Sequence, residues 1–509
     1  MKSSMRIALA ALLALGCTKK SIDTSKKVFN FPLRSEIEGF DPVQSTDLYT
    51  HEVLPQVYEG LLEYEYLKRP YELKPLLAEA MPTVTDQGKT YTFKLRKDVY
   101  FHDDPAFGGQ KRPLVASDVV YSFKRLADPN TKSPNYWLLE DKVLGLDAFR
   151  KSLVGKPGAD YSTMDVAGLQ APDDHTFVLR LTEASPLILY PLAMTPTYIL
   201  AKEVVEKYKD DLVNHPVGTG PFVLKEWRRN QRIVLVKNPN YWGSLYPTEG
   251  EPGDAEKGLL AAAGAKLPFV DEIQFHILVE DQPRWLNFMK GNVDLTEIPK
   301  DAYGNVFDEA GNMSEGMKKR GTLADKQTGV DIVFNVFNMT DPVIGKNPYL
   351  RQALSMSVNR DEKIKIFYNN RAIEAHGPIP PGIFGYDPAI KNPSAYNLEE
   401  AKKLVEKAKA EHKKLFGDKV PLKIAYETSN NPASRQIGES FVTDFKNIGL
   451  DAELSIYTWP TLTDRMKKSQ GQIYGYAWNA DYPDPENFLQ LLYGKNVSPG
   501  PNNANFNHP

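Results

Sequence analysis

The run Leu422-Lys423-Ile424-Ala425-Tyr426, the segment Ala433 to Ile448, and Ala452-Glu453-Leu454-Ser455-Ile456-Tyr457 decide the fold class of this chain. The outer pieces have strand length and largely strand-forming side chains. The middle piece places its apolar residues at helical spacing, and Gly449 stands where a helix C-terminus calls for a left-handed residue. Strand, helix, strand is a β-α-β unit with its two strands parallel in one sheet. A chain assembled from such units is α/β.

Working outward, the spacing predicts helices over Leu350 to Phe367 and over Leu398 to Leu415, the second capped by Asn397 and carrying a solvated lysine face. Strands are predicted at Tyr91 to Leu95, continuing at Val99 to Phe101 along a sheet edge, and at Phe177 to Leu181, Ile233 to Val236 and Ile273 to Ile277. A helix opens at an Ser117 cap and stops at Asp128-Pro129, and another runs from Pro283 through Met289. The Gly-, Pro- and Ala-rich stretch from Gly243 to Leu267 reads as a surface loop.

A length of 509 residues corresponds to about three domains at roughly 150 residues each. With 62 Lys and Arg against 65 Asp and Glu the net charge is −3, so no basic nucleic-acid surface is implied. The single cysteine, Cys17, excludes an intrachain disulfide and any site needing two thiolates. Lys2 and Arg6 precede the apolar run Ile7 to Leu15, a secretory signal too short for a membrane span. Ala14-Leu15-Gly16-Cys17 resembles a bacterial lipoprotein cleavage box, with Ala14 where Leu is usual. Cys17 is then the lipidation site, residues 1–17 the leader, and the polar, lysine-rich 18–27 a tether. Such an anchor holds a soluble body at a membrane, in the periplasm or at the cell surface.

Catalytic and cofactor signatures are missing from the sequence. There is no His-Glu-x-x-His, no phosphate-binding glycine loop and no Gly-x-Ser-x-Gly elbow, and the eight histidines are scattered. No metal, cofactor or catalytic residue is therefore assigned. His102-Asp103-Asp104 and Asp173-Asp174-His175 lie at strand ends, where turn residues collect.

Several segments recur in a telling order. They are Asp41-Pro42 with Val57-Tyr58-Glu59-Gly60-Leu61; Leu77-Ala78-Glu79-Ala80; Ala116 to Arg125; Val217-Gly218-Thr219-Gly220-Pro221-Phe222 with Asn238-Pro239-Asn240-Tyr241-Trp242; Gly291-Asn292-Val293-Asp294; and Arg351-Gln352-Ala353-Leu354 with Asn359-Arg360. Together they resemble the family 5 extracytoplasmic solute-binding proteins of ABC transporters, of the oligopeptide- and dipeptide-binding kind. Kinship to the oligopeptide binders is carried by Arg125 to Thr131 and by Trp478-Asn479-Ala480-Asp481-Tyr482.

The resemblance implies a two-lobed periplasmic-binding-protein-like α/β fold (type II, the large peptide-binding variety) with an extra domain. Residues 28–49 and 195–285 would form lobe I, 50–194 the extra domain and 286–490 lobe II, with 491–509 starting the return to lobe I. It implies a monomeric, non-enzymatic protein that captures oligopeptides in an interlobe cleft and hands them to the permease subunits of an importer. Asp481 would pair with the peptide α-ammonium, a cation that needs an opposite charge once out of water. Trp478 and Trp459 would wall side-chain pockets, Tyr482 and Thr46 would contact the ligand, and the backbone of Ala477 and Asn479 would pair with the peptide as an added strand. Arg465 would meet acidic side chains or the peptide carboxylate, and a pocket tyrosine of the family aligns with Asn135 or, one residue on, Tyr136. Most other motif residues hold the fold, Gly218 and Gly220 by supplying unusual dihedrals to a turn, and Tyr241 and Trp242 by packing.

Three departures bear on specificity and extent. Asn359-Arg360 lacks the family's usual Asp before Arg, a further basic pocket residue falls at Gly475, and relatives usually continue past the segment matching Asn505 to Pro509, which would make this chain a truncated one. Other ligands open to the same family are a murein peptide, an oligosaccharide, a nickel complex or haem. A secreted hydrolase is the reading of a different class.

Overall fold

In the computed structural model the described residues are 26–507 apart from 162, 309 and 327. The leader, Cys17 and most of the expected tether lie outside them. The chain forms two compact units, one comprising the chain up to Leu67 together with Leu73–Glu297, the other Lys68–Glu72 together with everything from Ile298 onward.

The first unit carries two four-stranded sheets. One joins β1 (Val28–Leu33) to three strands from much later in the sequence, β8 (Phe222–Arg228), β9 (Arg232–Lys237) and β10 (Glu272–Ile277), in the order β1-β10-β9-β8. Its β1–β10 pairing is parallel and the others are antiparallel. Alternation along Phe29, Phe31 and Leu33, and along Ile273 and Phe275, brings one apolar face onto Val53, Leu54, Val57 and Tyr58. A short hairpin, β2 (Leu62–Tyr64) with β3 (Leu73–Pro75), follows.

The other sheet has the order β4-β5-β7-β6, from β4 (Thr83–Thr85), β5 (Thr90–Lys94), β6 (Leu169–Asp173) and β7 (Thr176–Arg180). It packs Phe93, Phe177 and Leu179 against Val119, Phe123 and Leu126 of the helix Ala116–Ala127. β5 is thus an interior strand, not the edge its sequence suggests, because the short Thr83–Thr85 segment covers its outer side; beyond it, Tyr100 makes only an isolated bridge to Pro113. The Ala116–Ala127 helix also begins ahead of Ser117: the Asp118 carboxylate reaches back to accept from the Val115 N–H at 2.9 Å and does the capping.

Buried polar groups tie this unit together. Arg125 donates two parallel hydrogen bonds of 2.7 Å to the carboxylate of Asp41, a two-pronged pair closed to solvent. Glu59, 3% exposed, has no cation among its hydrogen-bond partners. It accepts from Thr219 Oγ1 at 2.7 Å, Tyr241 Oη at 3.0 Å and Trp242 Nε1 at 3.2 Å, and burial pushes its carboxyl up to about 7 against the pull of those donors. Gly218 and Gly220 do not take positive φ. They are needed for close approach instead, since a Cβ on Gly218 would stand 2.1 Å from the Val57 carbonyl oxygen and one on Gly220 2.6 Å from the Val57 carbonyl carbon.

The second unit is built on a sheet of order β11-β14-β12-β13, comprising β11 (Asp331–Phe337), β12 (Lys423–Ser429), β13 (Asp451–Tyr457) and β14 (Ile473–Asn479). β12 and β13 are parallel and joined by the helix Pro432–Asn447, the β-α-β unit read from the sequence, with Gly449 at φ +86° after the helix end. That helix, with Pro348–Met356 and Leu398–Phe416, covers one face around Ile424, Tyr426, Phe445 and Ile473. The helix Trp459–Lys467 covers the other around Val336, Leu462, Met466 and Tyr474. The single helix expected over Leu350 to Phe367 is two, Pro348–Met356 and Arg360–Tyr368, because the Asn359 side chain accepts from Glu362 N–H and starts a new helix. Among the described residues no helix is long and apolar enough to cross a membrane.

Candidate functional site

The chemistry-bearing feature of the second unit is β14 and the turn that follows it. Its antiparallel register with β11 runs from Phe337↔Ile473 to Asp331↔Asn479. At its two ends Asn338 N–H donates to Gln472 O and Ala480 N–H to Val330 O, both at 2.9 Å. Since partners in such a ladder alternate, the even-numbered residues of β14 turn their main-chain groups toward β11 and the odd-numbered ones turn theirs away. On that far side β12 accompanies β14 only at Tyr426↔Ile473 and Glu427↔Tyr474 before continuing beside β13 to Ser429↔Tyr457. The sheet therefore splits, and among the described residues the outward N–H and C=O groups of Ala477 and Asn479 line an edge with no strand beside it. Such an edge is a template for an extended chain.

One buried amide organises the turn at the end of this edge. Asn487, 0% exposed, accepts at Oδ1 from Trp478 Nε1–H at 2.9 Å and from Asp481 N–H at 3.1 Å, and donates from Nδ2 to Asp481 Oδ2 at 3.3 Å. Asp481 is an exposed residue, and Asn487 holds its carboxylate at Oδ2. Tyr482 is buried and donates its hydroxyl to Glu486. Asn487 was not a candidate in the sequence, where an isolated asparagine has no period or spacing to mark it.

Trp459 is the first residue of its helix and 53% exposed, a large aromatic ring left at the surface. Arg465, on the same helix, is turned onto Glu427: Nε and Nη2 donate to the Glu427 carboxylate at 3.0 and 2.7 Å, Nη1 faces Gln470 Oε1 at 3.4 Å, and the Tyr457 ring lies 4.6 Å from the guanidinium. Gly475 marks the point where the edge opens. Tyr426 Oη donates to Asn335 Oδ1 at 2.8 Å across it, and a Cβ there would sit 2.7 Å from that oxygen, so the basic residue of the wider family has no room.

The remaining candidates belong to the first unit. Thr46 donates to Glu38 Oε1 at 2.9 Å. Asn135, 9% exposed, donates to the carbonyls of Val43 and Ser45, at 3.2 and 2.8 Å, and so sits beside the Thr46 main chain. Tyr136 is 5% exposed, with its hydroxyl on Asp147 and the Arg150 guanidinium 4.3 Å over its ring. His102 is closed to solvent between Gly218 N–H and Gly220 O, and burial lowers its pKa to about 4. A hydrogen bond from the first group to Nδ1 leaves the proton on Nε2, a neutral structural imidazole.

The profile of the bacterial extracellular solute-binding proteins, family 5 (middle), matches residues 72–500. This chain belongs to that family. Among its relatives in the family, the dipeptide-binding protein of Escherichia coli strain K12 is 27% identical over 90% of this chain and 76% of its own. Heme-binding protein A of Haemophilus influenzae is 26% identical over 100% of this chain and 86% of its own. A solved family 5 neighbour, the ABC transporter-associated periplasmic binding protein DppA from Helicobacter pylori in complex with the peptide STSA, is 25% identical with a TM-score of 0.69, covering 94% of this chain and 84% of that one. The α/β, two-lobed periplasmic-binding-protein fold expected from the sequence is the fold of this family 5 chain.

Proposed function

We propose that this chain is the peptide-binding component of an ABC importer, capturing oligopeptides and delivering them to the membrane permease. The observation that carries this reading is the open edge of β14, which ends at a carboxylate fixed by Asn487. An extended peptide laid along the edge takes main-chain hydrogen bonds from Ala477 and Asn479, so affinity depends little on its side chains. Asp481 receives the α-ammonium and sets the register, Trp478, Trp459 and Tyr482 flank side chains, and Thr46, Asn135 and Tyr136 are the first unit's candidate contacts. The names of the Escherichia coli and Helicobacter pylori relatives support a peptide ligand.

The protein acts by binding and release and carries out no reaction, as a monomer without cofactor or nucleic acid. Residues 28–49 and 195–285 form one lobe, 50–194 the extra domain and 286–490 the second lobe, a reading supported by the division of the first unit's strands between the sheets β1-β10-β9-β8 and β4-β5-β7-β6. Acylated Cys17 anchors it to a bacterial membrane, in the periplasm or at the cell surface.

The test is native mass spectrometry of the purified chain without its leader, followed by sequencing of released small molecules. Co-purifying peptides are expected, and Asp481→Asn should weaken their binding by about 10- to 100-fold, the worth of one hydrogen-bonded charge. An Asp481→Asn protein that folds and binds peptides unchanged overturns the assignment of Asp481. The similarity to heme-binding protein A makes haem the second ligand to offer; haem bound with peptides ignored overturns the peptide reading.

A further inference from the structure

We infer that Glu427 is a specificity-determining residue: as the built-in counterion of Arg465, it keeps the inner end of the open β14 edge from accepting an anionic ligand group. The inference rests on the peptide reading above. Glu427 is the register partner of Tyr474, the last pair before the edge opens at Gly475. A peptide anchored at Asp481 and running antiparallel to β14 reaches this place after exhausting the outward groups of Asn479 and Ala477.

Arg465 lies on the helix Trp459–Lys467, which packs against Tyr474, and its guanidinium is gripped in a two-pronged fashion by Glu427, at 3.0 and 2.7 Å. The grip is built in. Glu427 is 3% exposed, and its carboxylate fills the space beside Gly471, where a Cβ would come within 2.6 Å of it and where φ is +89°. A ligand carboxylate that took the two-pronged face of Arg465 would leave the buried Glu427 without its cation, and one that met the remaining N–H groups would find a guanidinium whose charge Glu427 already compensates. A neutral or basic ligand group makes no such demand. On the opposite face of the sheet the same end is bounded by the uncharged Tyr426 hydroxyl and Asn335 amide. The edge thus offers a carboxylate at the Asp481 end and a charge-compensated surface at the Gly475 end. It selects peptides whose residue at the Gly475 end is uncharged or basic.

The experiment measures, by isothermal titration calorimetry on the purified chain, a set of alanine tetrapeptides carrying Glu, Gln or Lys at the second, third or fourth position. At one of these positions the wild-type chain is expected to bind the Gln peptide at least tenfold more tightly than the Glu peptide. Glu427→Gln should shrink that ratio to threefold or less by freeing Arg465. Arg465→Lys, which keeps the charge but not the two-pronged grip, should shift the ratio in the same direction and serves if Glu427→Gln does not fold. Peptide binding with the Glu-to-Gln ratio unchanged at every position in a folded variant overturns this inference alone. A wild-type chain that binds none of the tetrapeptides overturns the peptide reading, and this inference with it.

Discussion

Replacing Glu59 with glutamine removes a titrating group from the interior of the first unit while leaving its hydrogen bonds largely in place. Glu59 accepts from Tyr241, Trp242 and Thr219. A glutamine can keep its oxygen toward Tyr241 and Trp242 and offer its N–H to the Thr219 hydroxyl, which accepts as well as donates. Burial holds the carboxyl near 7 in the folded chain against an ordinary value of 4.5. A carboxyl whose folded pKa is raised stabilises the fold below its unfolded pKa and loses that contribution as pH rises through the folded one. At about 1.4 kcal/mol per pKa step the linkage amounts to about 3 kcal/mol, lost between roughly pH 4.5 and pH 7.

His102 works in the opposite direction over part of that window, since its pKa is lowered from 6.5 to about 4 and its contribution is lost as pH falls. Glu52, half-buried near Glu297 and Asp47, is also raised to about 7 by burial and by those carboxylates. Both are common to the two proteins and cancel in the difference. Urea unfolding followed by circular dichroism at pH 5, 6, 7 and 8 should therefore show Glu59→Gln gaining on the wild type by about 3 kcal/mol from the most acidic to the most alkaline sample. A difference that stays constant across the series would refute the argument, because it would mean that Glu59 titrates alike in the folded and unfolded chains.

Three further outcomes follow from the packing. Arg125→Met, which strands the buried Asp41 carboxylate, should destabilise the first unit by about 3–5 kcal/mol, read as a shift in the urea midpoint. Asn487→Ala leaves Trp478 Nε1–H and Asp481 N–H without their acceptor; it should cost about 1–3 kcal/mol for each donor left dry, and it should weaken peptide binding together with stability, as titrations of the still-folded protein would reveal. Gly475→Ala should destabilise by about 1–3 kcal/mol through overpacking against Tyr426 Oη, and adding Tyr426→Phe should recover part of that loss in a double-mutant cycle.

What the sequence made legible follows from what is local. The strand-helix-strand unit from Leu422 to Tyr457 appears where its periodicity places it, because period two and period 3.6 are set by neighbours a few residues apart. The break at Asn359 escaped the same reading, since an asparagine within a helical pattern is mildly unfavourable as an interior residue and strongly favourable as a cap. β5 reads as an edge in the sequence because Thr83–Thr85, with Val84 alone between two threonines, is too short to show a period of its own. The sequence marks Gly218 and Gly220 as turn glycines, whereas what they supply is a close approach to Val57, a tertiary fact. At the candidate site, the Trp478 to Tyr482 segment came from family resemblance. The splitting of β12 from β14, the Asn487 clasp and the Glu427 counterion depend on residues distant in sequence, which no window of the chain contains.

The pairing of β1 with β10 bears on how the molecule comes into being. Lys26, just ahead of β1, meets Glu272 at the start of β10 across 246 residues of chain. In a chain made from its N-terminus, Phe29 and Phe31 can meet their β10 partners only after everything between the two strands has been made. Parallel pairing at this separation must close a very long loop before it is rewarded, which places it late and makes it slow. The sheet that opens the first unit is therefore closed by a strand near that unit's end, so a chain stopped ahead of β10 leaves β1 without the neighbour it pairs with.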